Sequence, residues 1–166
     1  MSEMNKLLIQ NQILMGEKLY AEAIHLVLAN AVHEINIFDQ DLSRGDFANL
    51  QKYELLKDFL SNNVTSKLTI ILQDTLYFQE KCPRLFGLLA IYGHKMAVLE
   101  TNETAKHAKD CFILADNKHY IKRIHIDQAR FKYVLNDESS VEQLTTRFEE
   151  LLETTHHRVP VTTLGL

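Results

Sequence analysis

Cysteine is scarce: Cys82 and Cys111 are the only two in 166 residues. Two are too few for a disulfide framework, and their spacing is not that of a zinc ribbon. Glycine is sparse as well, with five residues scattered singly, so there is no Gly-rich phosphate loop. Positive charge is in deficit. Lys and Arg number 18 against 22 Asp and Glu, a net charge of −4. A mildly acidic chain lacks the broad positive field on which nonspecific nucleic-acid binding relies, so a nucleic-acid partner is not expected. Long apolar runs are missing too. Leu26–Ala29 and Leu68–Leu72 fall far short of the ~20 residues that span a bilayer, and the first residues lack a charged-then-apolar leader layout. These absences predict a chain without a membrane span, working in the cytoplasm.

What is present is ordinary for a globular protein: 46% hydrophobic and 24% charged residues, in a length that suits one domain. Leu19, Tyr20, Ala23, Ile24, Val27, Leu28 and Ala31 are spaced as one helix face. Glu34–Asp39 then alternates polar and apolar, the period of a strand. After the polar loop Gln40–Gly45, Asp46 is placed to cap a second helix carrying Phe47, Leu50, Tyr53, Leu56 and Leu60. Lys67–Gln73 is a nearly continuous apolar strand suited to a sheet interior. Pro83 suits the first turn of a third helix, which ends near Gly93, and Met96–Leu99 reads as the next strand. Helix and strand alternate to this point, which predicts a parallel sheet.

Beyond residue 100 the pattern changes. Thr101–Ala108 is polar, Cys111–Ala115 is apolar, Asp116-Asn117-Lys118 signals a turn, and Tyr120–Ile124 completes a hairpin. Phe131–Leu135 adds a strand. A last helix carries Val141, Leu144, Phe148, Leu151 and Leu152. The expected fold is therefore α/β, with a mixed sheet flanked by helices: a parallel N-terminal part and an antiparallel C-terminal hairpin. The expected domain spans residues 16–155, with 1–15 as an N-terminal extension and 156–166 as a tail holding His156 and His157.

The stretch Lys109-Asp110-Cys111-Phe112-Ile113-Leu114-Ala115-Asp116, followed by a strand and a final helix, resembles the phospholipase D superfamily. The resemblance covers the element order from the helix before Ile35 to the last helix near Thr154, and its sequence likeness lies in residues 105–152. In that family a His-x-Lys pair starts a strand, and an Asp follows the Lys after four residues at a tight turn. Two histidines from two half-domains flank a phosphodiester. One attacks phosphorus and the other protonates the leaving oxygen, while lysines hold the phosphate oxygens. With Asp116 in the Asp place, Cys111 stands where the Lys would be and Lys109 where the His would be. Arg123-Ile124-His125-Ile126 runs where small residues and an Asn are usual. The resemblance thus implies a single half-domain, a homodimer, and a degenerate motif. His107-Ala108-Lys109 spells His-x-Lys in another register, but the Asp would then fall at Leu114. Asp116 is two residues late, roughly 6–7 Å along a strand.

Three further groups carry chemistry on paper. Asp39 and Asp41, after the first strand, resemble the Asp-x-Asp of haloacid-dehalogenase-like phosphatases, in which the first Asp attacks phosphorus and Mg²⁺ is held beside it. Here Ser43 stands where Thr or Val is usual, and Lys95 and Asp116 are loose stand-ins for the later motifs. The plainer expectation is that Asp39 and Asp41 tie up loop backbone. Lys109, Arg123 and His125 form an anion-binding candidate for a small phosphate-containing ligand. Cys111 reads as a strand core residue, or as a thiol that Lys109 could activate. No resident metal or cofactor is expected. The leading expectation is a non-catalytic phospholipase D-like binding or regulatory module. The alternative is an enzyme, either a divergent phosphodiesterase or an Mg²⁺-dependent phosphatase.

Overall fold

A computed structural model describes residues 8–160. The chain runs Leu14–Met15 (β1), Glu17–Ala29 (α1), Glu34–Asp39 (β2), Leu50–Asn62 (α2), Lys67–Leu72 (β3), Leu76–Lys81 (α3), Pro83–Ile91 (α4) and Met96–Glu100 (β4). A 3₁₀ turn at Ala105–His107 precedes Cys111–Ala115 (β5), His119–His125 (β6), Gln128–Val134 (β7), Glu138–Glu153 (α5) and His157–Arg158 (β8). The strands form one sheet in the order β1-β7-β6-β5-β2-β3-β4-β8. Among the described strands, β2, β3 and β4 alone run parallel. The hairpin strand β5 lies antiparallel against β2, so the antiparallel half abuts the parallel half at the middle of the sheet. The dehalogenase-like alternative fails on this point, because that fold has a different strand order and no late antiparallel hairpin.

Alternation along the strands divides the core into two layers. Ile35, Ile37, Leu68, Ile70, Val98, Ile113, Ile121 and Phe131 face α1, α2 and α4. Their neighbours Phe38, Ile71, Leu99, Phe112, Tyr120 and Val134 face α5 alone, meeting Val141, Leu144 and Phe148. One face therefore carries several helices and the other a single helix. Each fully buried aliphatic or aromatic side chain contributes roughly 1.5–3 kcal/mol, and the strands at the middle of the sheet, β5, β2 and β3, bury residues on both faces.

The termini of the core depart from expectation. Both flanks set apart from the domain give the sheet an edge strand: Leu14 pairs with Phe131, and His157 pairs with Glu100. Each edge strand is two residues long, a short edge that gives little template for further pairing. Asp46 does not cap the second helix. Its φ is 59°, whereas a capping residue needs extended backbone. Asn49 does so instead, accepting the Lys52 amide at 3.0 Å. The short α3 was not expected, whereas Pro83 opens α4 as its fixed φ favours. Cys82, the residue before Pro83, is enclosed at 1% exposure.

Candidate functional site

The hairpin turn sets the register. Asp116 and Asn117 both have a φ of 56°, and the Lys118 amide donates to the Ala115 carbonyl at 3.1 Å. This is a two-residue turn whose twist matches its strands, and Asx side chains tolerate it best. The Asp116 carboxylate then accepts three backbone amides at the mouth of β2: Val32 at 2.9 Å, His33 at 2.8 Å and Glu34 at 2.9 Å. Asp116 is a fastener between α1, β2 and the hairpin. Asp116→Ala is expected to cost about 1–3 kcal/mol, with faster hydrogen exchange at residues 32–34 as the local readout.

From that turn, β5 runs back to Cys111, whose side chain shares a face with Ile113 and Ala115. It lands under the first turns of α1, beside the carboxyl end of β2. Cys111 is 2% exposed, Tyr20 3%, Asp39 8% and Arg123 1%. The Tyr20 hydroxyl lies 3.5 Å from the Cys111 sulfur. Arg123, register partner of Cys111 on β6, forks onto Glu17 with two bonds of 2.7 Å. Its guanidinium lies 4.8 Å from the Tyr20 ring centroid, and its Nε donates to the His125 carbonyl at 3.2 Å. Planar guanidinium suits both contacts at once.

The electrostatics follow from this enclosure. Burial pushes the Cys111 thiol well above its ordinary value, and the neighbouring Asp39 adds to the effect. Lys109 is exposed and does not activate the thiol, contrary to that expectation. Burial also raises the Asp39 carboxyl, against hydrogen bonds from the Cys111 thiol and the Leu42 and Asp41 amides. Burial raises the Tyr20 hydroxyl strongly as well. The Arg123 hydrogen bond holds Glu17 below the usual carboxylate range. A neutral thiol and a phenol beside a satisfied ion pair offer neither a nucleophile nor a free cation.

The other expected residues are dispersed. His107 and Lys109 are both exposed, and the 3₁₀ turn holding His107 is pinned by the Gln73 amide on the Ala105 and Ala108 carbonyls, at 3.0 and 2.8 Å. Leu114, where that register would need an Asp, lies in the layer under α5. Lys109 and His125 do approach one another, since the Ile126 amide donates to the Lys109 carbonyl. Arg123 does not join them as a free cation, because Glu17 already occupies its fork. Asp39 accepts the Leu42 amide at 2.6 Å, and Asp41 accepts the Ser43 amide at 2.9 Å and its hydroxyl at 2.6 Å. These carboxylates hold the loop after β2. Among the described residues no group of three or more His, Cys, Asp and Glu side chains could hold a metal ion. Glu17 and Tyr20 had not been singled out for the site. A first-turn Glu ordinarily reads as a helix-dipole residue, and nothing local signals a partner 106 residues away.

Among the described residues no helix is long and apolar enough to cross a membrane. No curated protein matches the chain. Solved structures do. Nuc from Salmonella typhimurium, a phospholipase D family member, superposes with a TM-score of 0.62 at 11% identity, over 88% of this chain and 95% of its own. NucT from Helicobacter pylori gives 0.61 at 12% identity, over 88% and 97%. TrmBL2, an archaeal chromatin protein whose structure is described as showing a novel mode of DNA binding, gives 0.66 at 14% identity. The match covers 90% of this chain and 54% of TrmBL2, so the chain spans about half that protein's length. The likeness establishes the phospholipase D-like α/β fold. It gives no support to the expectation against a nucleic-acid partner. At the level of sequence, the family model described as "Domain of unknown function (DUF7931)" matches residues 17–163, and the chain belongs to that family.

Proposed function

We propose that the chain is a non-catalytic phospholipase D-like domain that serves as a binding or regulatory module. One observation carries this reading. In the register with Asp116 at the turn, the place of the phosphate-holding lysine falls to Cys111, and that side chain is sealed under Tyr20, Asp39 and the Arg123–Glu17 pair. Lys109, in the place of the nucleophilic His, is an ammonium on the surface. Phosphoryl transfer needs a nucleophile and a clamp held within about 1 Å of a working geometry, and neither is offered. The phosphatase reading with Asp39 and Asp41 has no comparable support, since both carboxylates are occupied by loop amides.

Purified protein incubated with a chromogenic phosphodiester is expected to show no turnover above the buffer rate. Turnover that disappears in His107→Ala would overturn the proposal and favour the His107/Lys109 register. Pairing of two copies, which the resemblance implies, belongs to the same proposal, and light scattering on the eluting protein should give twice the chain mass.

A further inference from the structure

The sheet face opposite Cys111 is covered unevenly. Helix α5 lies over β5 and the parallel strands, where Phe148 meets Phe112 and Arg147 lies 5.4 Å from the ring centroids of both Phe38 and Phe112. The outer strands β6 and β7 run on past this cover. Along β6, Tyr120 and Lys122 alternate with the inward-facing Ile121 and Arg123, so they project to the α5 side. There a groove of about 550 Å³ opens between the strands and α5, within the range of small-molecule sites.

The groove has two kinds of wall. Lys109, Lys122 and Lys132 supply one, while Ile13, Tyr120 and Leu144 supply the other. Lys122 and Lys132 are directly opposed across β6 and β7. Like charges so placed destabilise a sheet, and this pair stands in a chain of net negative charge. The carboxylate in the lining, Asp110, pairs with Lys122 at 3.7 Å and is shared with Arg147. Both Nη groups of Arg147 also donate to it, so one carboxylate serves two cations. Among the described residues neither Lys109 nor Lys132 has an ion-pair partner. On the apolar side Ile13 is 48% exposed, and Ile124, also lining the groove, is 41% exposed. Two ammonium groups without an ion-pair partner among the described residues, Lys109 and Lys132, thus stand beside exposed apolar surface with a third, Lys122, that shares its carboxylate with Arg147. They describe a ligand with a multiply charged anionic end and an apolar or planar body.

We infer that this groove binds a small phosphate monoester carrying a planar or apolar group, with Lys122, Lys132 and Lys109 around the phosphate and Ile13, Tyr120 and Leu144 against the body. A dianion offsets the Lys122–Lys132 repulsion, which a neutral ligand cannot do. The inference rests on reading the chain as a binding module. Its failure would leave the sealed Cys111 cluster and the expected lack of phosphodiesterase activity untouched, so the two fail separately.

The test is an amide-resolved NMR titration of the full chain with phenyl phosphate and with AMP. Saturable shifts are expected at Lys122, Lys132 and Leu144, with binding weakened about tenfold in the Lys122→Gln/Lys132→Gln double variant, as for loss of charge-assisted contacts. That variant removes like-charge repulsion, so it is expected to fold, and its unshifted core amides verify this. Absence of saturable shifts with either ester would overturn the inference, as would shifts centred on Cys111. So would tight, steeply salt-dependent binding of a single-stranded oligonucleotide to a protein inert to both esters, which would make the basic face a nucleic-acid surface.

Discussion

Lys52→Met is expected to stabilise the protein near neutral pH by about 1–2 kcal/mol, seen as a rise of roughly 3–6 °C in Tm. Lys52 is 3% exposed, in the first turn of α2. Its ammonium has no carboxylate within ion-pair distance among the described residues. It reaches only the Ala21 carbonyl at 3.4 Å and the Phe47 ring, 5.9 Å away. The amino end of a helix is also the wrong end for a cation. Burial accordingly lowers its pKa from 10.5 to about 8, with Asp46 partly offsetting the fall. That difference corresponds to at most roughly 3 kcal/mol, and the lost carbonyl and ring contacts reduce the net gain. The pH dependence has a definite sign. Below about 8 the group is charged in both states and the penalty is complete. Between about 8 and 10.5 the unfolded chain holds the proton more tightly, so wild-type stability gains as pH rises. Denaturant melts of the two proteins should therefore converge at alkaline pH. A variant less stable than wild type near neutrality would show that Lys52 has an anionic partner.

Glu17→Ala should be among the most damaging substitutions at an exposed position, costing about 3 kcal/mol. The Glu17 side chain is 57% exposed while its partner Arg123 is 1% exposed, so the loss falls on the buried partner. Arg123 would keep its charge, its place over Tyr20 and its bond to the His125 carbonyl, but lose the carboxylate that accepts both Nη groups. Removing one member of such a pair costs more than the pair contributes. Water can reach from the Glu17 side, which places the figure at the low end of the range for buried pairs. Because the folded Glu17 pKa lies below its ordinary 4.5, this contribution is complete above that value and is lost as pH falls through the folded pKa. Urea melts of wild type and Glu17→Ala should thus approach each other in acid. A substitution cost under about 0.5 kcal/mol would mean that the ion pair is a surface contact of the ordinary weak kind.

Local chemistry was legible in the sequence where one segment decides the outcome. Asp116-Asn117 specifies a tight turn because Asx residues tolerate left-handed backbone, and Pro83 opens a helix because its φ is already set. The apolar period of α1 and the continuous apolar run of β3 name their buried residues. In α5 the period names Val141, Leu144 and Phe148 but also Leu152, which is 41% exposed. Choices between neighbours were harder: Asp46 and Asn49 are both capping types, and only the backbone at Gly45 and Asp46 excludes the first. The two-residue edge strands carry too little pattern to see. Least legible was the candidate site. Arg123 reads as a cation at a pocket mouth until Glu17, far away in sequence, is brought across it. Lys52 reads as a solvated residue between Leu50 and Tyr53 until the α1 backbone closes over it. Long-range pairing decides both, and no period or motif encodes it.

Central to the proposed function is that Cys111 occupies a sealed, unreactive place, the position to which the resemblance to phospholipase D assigns a phosphate-holding lysine. Alkylation of native protein with iodoacetamide, followed by peptide mapping of Cys111, tests it directly. Modification no faster than global unfolding permits is expected, at a rate that rises with denaturant. Rapid labelling of Cys111 in the native protein, slowed by added phosphate, would contradict it and place an open anion site beneath Tyr20.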